Sequence, residues 1–119
     1  MSFLYSLAVV AMQAAAPQAA PPAPAALTMQ QQTALRCSIA IAMGAERQRA
    51  GKGDPAWPDF TERGREFFVR SLAQLMDDTG MSREALMQAA AGEAADLKDG
   101  ENLQQVMPAC LLMLDASGL

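Results

Sequence analysis

After residue 27 the apolar positions of this chain recur almost everywhere at helical spacing, and four stretches carry the pattern. The first runs through MQQQTALRCSIAIAMGAERQRA to Ala50, with Thr28 as its N-cap and Gly51 as its breaker. Nine consecutive residues within it, Cys37 to Ala45, carry no charge. Winding the stretch as a helix sets Leu35, Ile39, Ala42 and Met43 on one side and Cys37 and Ile41 on another. Only the direction of Arg36, Ala40 and Arg47 is left for solvent. A helix apolar around most of its circumference has to be surrounded by others, so this one is expected at the centre of the fold.

A breaker-rich loop follows, GKGDPAWPDF, with Trp57 between Pro55 and Pro58. Asp59 or Thr61 then caps a second helix, ERGREFFVRSLAQLMDD, ended by Thr79 and Gly80. Its expected inward stripe is Phe68, Val69, Leu72, Leu75 and Met76, with Gly64 at the edge permitting a close helix crossing. Ser82 caps a third helix, REALMQAAAGEAADLK, with Leu86, Ala90, Ala94 and Leu97 inward. The fourth, ENLQQVMPACLLMLDAS, contains Pro108, where the helix is expected to kink or to split in two. Val106, Leu111 and Leu114 supply its expected inward side. With no strand-like alternation of useful length, the fold class is all-α: a small four-helix bundle forming one domain over residues 27–119.

The first 26 residues read differently. Phe3 to Met12 form an apolar run of ten residues, and no charged side chain appears before Arg36. Residues 1–16 are expected to be a signal peptide, with Ala14-Ala15-Ala16 as the neatest cleavage site, although Pro17 fits poorly after a scissile bond. Residues 17–26, with four prolines and five alanines, form an Ala/Pro-rich spacer. Export to the periplasm or beyond is the expectation. The alternative is an uncleaved form tethered to the membrane through residues 3–16, the only membrane contact expected.

Export gives the two cysteines their meaning. Cys37 and Cys110 are the only pair in a small exported domain, and such pairs close disulfides. Their separation of 73 residues would tie the last helix to the first, a constraint worth about 4 kcal/mol on the loop-entropy account. A reactive thiol is disfavoured, because no C-x-x-C spacing and no histidine are present to stabilise a thiolate.

The absence of histidine also removes the commonest metal ligand and the usual base near neutral pH. Asp77-Asp78 and the Glu93, Asp96, Asp99 series lack the order of a calcium loop and read as the wet faces of helices. The nine methionines are scattered and read as core filler, and AGKGD lacks the frame of a phosphate loop. No metal, no cofactor and no catalytic residue is expected. A net charge of −4, split into +2 over residues 1–70 and −6 over 71–119, gives no footprint for nucleic acid. The arginines 47, 49, 63 and 65 with Lys52 are interleaved with Glu46, Asp54, Asp59, Glu62 and Glu66, which reads as a salt-bridged rim. Trp57 either lids the core or projects as an anchor; with Phe60 and Phe67 it makes up the candidate partner-binding set.

The functional expectation is a non-enzymatic binding or interaction module of the bacterial cell envelope, with a protein partner. In bare outline the chain is similar to the acid-activated periplasmic chaperones, a likeness carried by Cys37 and Cys110 alone. It implies the alternative of an acid- or stress-responsive periplasmic chaperone, since neutralising thirteen carboxylates would leave nine positive charges on the bundle.

Overall fold

A computed structural model describes residues 27–119; the expected signal peptide and spacer lie outside the described residues. Four helices follow one another: α1 over Met29–Arg49, α2 over Thr61–Thr79, α3 over Arg83–Leu97 and α4 over Gly100–Ala116. No strand occurs among the described residues. The ends fall where local chemistry sets them. Thr28 and Gln31 form a reciprocal capping box: the Thr28 hydroxyl accepts from the Gln31 N–H at 3.1 Å, and the Gln31 side-chain oxygen Oε1 accepts from the Thr28 N–H at 2.9 Å. Ser82 caps α3 by accepting from the Ala85 N–H, and Asp99 caps α4 by accepting from the Glu101 N–H. Gly51 and Gly80 take the left-handed conformation just after α1 and α2, where a side chain would be strained.

α1 is the central element and touches each of the other three helices. Leu35, Cys37, Ile39, Ile41 and Ala45 are buried on it, and they join Phe60, Phe67, Leu75, Leu86, Leu97, Leu103, Met107 and Leu114 in one continuous core. Ala40, expected at the surface, is fully buried, and Arg36 and Arg47 are half-buried. α1 therefore has no free side over Cys37 to Ile41, five consecutive buried residues that cover every direction of the helix, while Ala42 and Met43 later in the uncharged run are half-buried.

α2 is turned about its own axis relative to the expected stripe. Gly64, Phe67 and Leu75 are buried, Phe68, Leu72 and Met76 pack at the margin, and Val69 is 58% exposed. The turn follows from Gly64. A Cβ placed there would stand 3.0 Å from Ile41 Cγ2 and 3.4 Å from Ala45 Cβ, so the missing side chain is what lets α2 lie on α1 along this face. α4 is likewise turned: Leu103, Met107, Cys110 and Leu114 point inward, while Val106 and Leu111 are half-buried. It runs as one helix through Pro108, so the expected split does not occur. Pro108 lies on the exposed side, as does Gln104, the residue whose carbonyl a helical N–H at position 108 would otherwise bond.

Candidate functional site

Cys37 and Cys110 are joined, with their Cα atoms 5.0 Å apart. Both residues are buried, so the bond sits inside the α1–α4 contact and staples the central helix to the last one. Beside it the Ser38 hydroxyl, also fully buried, donates to the Ala34 carbonyl at 2.6 Å and leaves no polar atom unpaired.

The loop between α1 and α2 is held by a side chain that no sequence pattern singles out. The Gln48 amide donates to the Pro58 carbonyl at 2.8 Å and accepts from the Phe60 N–H at 3.0 Å. Asp54 closes the turn before it, accepting from the Ala56 N–H. These bonds deliver Phe60 into the core and leave Trp57 half-buried above it, with ring centroids 6.1 Å apart and planes tilted by 42°. Of the candidate partner-binding set, Phe60 and Phe67 are thus core residues. Both lie in the shared core, and only Trp57 reaches the surface, half-buried and packed against that core.

The expected arginine rim is partly assembled. Arg49 pairs with Glu46 and donates to the Thr61 carbonyl at 3.2 Å, and Arg63 reaches Asp115 at 3.3 Å and the Leu119 carbonyl at 3.2 Å. Arg36 behaves unlike a solvent-facing residue. Its Nη1 lies 2.7 Å from Asp96 and 2.8 Å from Glu93, so two carboxylates from α3 converge on one guanidinium of α1. The bond to Asp96, then that to Glu93, holds the Arg36 pKa above its ordinary value. Spacing alone puts Glu93 and Asp96 on a wet face, because nothing in it shows which cation a neighbouring helix brings. Asp59 precedes α2 and accepts from both the backbone N–H and the hydroxyl of Thr61, each at 3.0 Å, which lowers its carboxyl below the usual range.

Two open grooves flank α2. One, of about 610 Å³, lies between the start of α1 and the end of α2, floored by Phe67 and Leu75 and rimmed by Gln31, Gln74 and Asp78. The other, of about 740 Å³, runs along the outer side of α2 past Arg49, Arg65, Val69 and Arg70. Among the described residues no three acidic or cysteine side chains converge as a metal site. None of the described helices is long and apolar enough to cross a membrane.

The outer face of α4 has a different character. Between Glu101 and Asp115 the helix carries no charge, and its exposed residues there are Gln104, Gln105, Pro108, Ala109 and Leu112. Leu112 is 72% exposed. This is an uncharged stripe directly opposite the buried Cys110. Periodicity does not reveal it, because it favours Leu111, not Leu112, for contact with the core. No family model, curated protein or solved structure matches the chain.

Proposed function

We propose that the protein is an exported, non-enzymatic interaction module of the bacterial cell envelope. The observation that carries this reading is the Cys37–Cys110 staple beneath the uncharged face of α4. Disulfides persist in oxidising compartments, which supports export; the alanine-rich composition and signal-like start support a bacterial envelope. The bond also fixes the inner side of α4 covalently, so its outer side is presented on a rigid frame. Protein interfaces are depleted of charge at their centres, and the span from Gln104 to Leu112 has that property. It suits a partner protein offering an uncharged, apolar-centred surface, because a charge pressed against Leu112 would be desolvated without a counter-charge.

A photo-crosslinker placed at Leu112, with one at Glu84 on α3 as control, tests this in the native envelope. The expected result is one discrete adduct from position 112, lost in Gln105→Glu/Ala109→Glu protein, together with hydrogen-exchange protection of α4. Absence of both adduct and protection overturns it.

A second reading, an acid- or stress-responsive periplasmic chaperone, is favoured by the Arg36 cluster. There two carboxylates of α3 tie that helix to α1 through one guanidinium, a contact that rests on charge and is of the kind acid weakens. Dye binding and protection of an aggregating client at about pH 2–3, below the ordinary carboxylate range, test it, and a bundle still compact and inert there removes it.

A further inference from the structure

We infer that a second copy of this chain docks antiparallel on the outer face of α2. Arg65, Val69, Ala73 and Asp77 follow one another at intervals of four residues and are all exposed, so they form one ridge inclined about 26° to the helix axis. It is roughly 18 Å long at the rise of an α-helix. Val69 is the most exposed large apolar residue of α2, and it also lines the groove that α2 forms with α1 beside Ala45 and Phe68. Arg65 and Asp77, at the two ends, have no ion-pair partner among the described residues. Of the other charges on that side, Glu66 and Arg70 pair with each other at 2.7 Å, and Glu62 lies one turn before Arg65, beyond the end of the ridge.

The order basic, branched apolar, small, acidic is its own complement when reversed. Two α2 helices that cross at about 50°, so that their inclined ridges run alongside each other, and that are related by a two-fold axis level with Ser71 place Arg65 opposite Asp77 of the second copy and Val69 opposite its Ala73, each contact occurring twice. The small Ala73 leaves room for the Val69 side chain. A parallel arrangement would instead oppose Arg65 to Arg65 and Asp77 to Asp77, so the charges select the antiparallel one. A two-fold contact requires a self-complementary surface, and the stripe satisfies that requirement without an unpaired charge. The contact lies on α2, away from the uncharged face of α4, so it stands or falls independently of the proposed envelope partner.

Sedimentation of the disulfide-bonded protein from micromolar to millimolar concentration tests the inference. The wild-type chain is expected to dimerise, with an apparent Kd raised about tenfold or more by Arg65→Asp or by Asp77→Arg, each of which turns two attractions into two repulsions. The two variants mixed in equal amounts are expected to regain wild-type association as a heterodimer, since each charge on one variant then faces its opposite on the other. A charge-independent check is mild oxidation of mixed Val69→Cys and Ala73→Cys proteins, which should crosslink faster than either alone. A wild-type chain monomeric throughout, a dimer indifferent to both reversals, or a mixture that stays monomeric overturns the inference.

Discussion

The ring of Phe60 occupies the space that Gly44 leaves open: a Cβ on Gly44 would stand 2.9 Å from Phe60 Cζ, and one on Gly64 would stand 3.1 Å from Phe60 Cδ2. Two glycines, one on α1 and one on α2, therefore frame a single buried aromatic. Replacing glycine by alanine inside a helix ordinarily stabilises it by about 1 kcal/mol. Here overpacking, worth about 1–3 kcal/mol, opposes that gain, because Phe60 and Ile41 are both enclosed and cannot move aside. Gly44→Ala and Gly64→Ala are expected to destabilise by roughly 1 kcal/mol each. Gly92→Ala on α3, where a Cβ meets nothing, is expected to stabilise by about 0.5–1 kcal/mol. Urea unfolding of the three variants measures the difference in sign.

The staple is expected to supply a large share of stability. With a sequence separation of 73 between its ends, Cys37→Ala/Cys110→Ala protein should lose about 4 kcal/mol in urea unfolding. The unmodified protein should yield no titratable thiol under denaturing conditions until reductant is added, and two afterwards. A loss below about 1 kcal/mol would show that packing alone holds α4 on α1.

Gln48 is expected to matter more than a surface glutamine ordinarily does. Gln48→Ala removes the acceptor of the half-buried Phe60 N–H and the donor to the Pro58 carbonyl. A destabilisation of about 1–3 kcal/mol should follow from the unsatisfied groups. Faster exchange of the Phe60 amide and a red shift in the emission of Trp57, the sole tryptophan, should accompany it.

Asp59 gives a local acid response of known sign. Its carboxylate is favoured in the folded chain by the two bonds from Thr61, so its folded pKa lies below the ordinary 3.8. The stabilisation is present above that ordinary value and is lost as pH falls through the folded pKa. Carboxyl chemical shifts should show Asp59 titrating below its usual range, and Thr61→Ala should move the midpoint upward, since one of the two donors is removed.

The Arg36 cluster should hold α3 locally. Arg36→Met keeps much of the length of the side chain and deletes both pairs, at a cost of about 1 kcal/mol because the group is a third exposed. Hydrogen exchange should accelerate in α3 and leave α2 unchanged. Arginine stays charged throughout the acid and neutral range, its bonus being lost only as pH rises through a folded pKa held above the ordinary one.

The sequence by itself determined the four helices, their caps at Thr28 and Ser82, the breakers Gly51 and Gly80, and the pairing of Cys37 with Cys110. Each of these depends on residues adjacent in the chain or, for the cysteines, on there being a single pair. Tertiary structure alone decided how each helix is turned about its axis. Ala40 went inside, Phe67 replaced Val69 against α1, and Leu103 and Met107 took the core places expected for Val106 and Leu111. A helix with apolar residues around most of its girth has no unique inward direction of its own. Contacts between distant segments settle it: Gly64 on Ile41, Phe60 over Gly44, and Arg36 between Glu93 and Asp96. The surfaces left outside, the charged stripe of α2 and the uncharged stripe of α4, follow from those turns and were for that reason not visible in the letters.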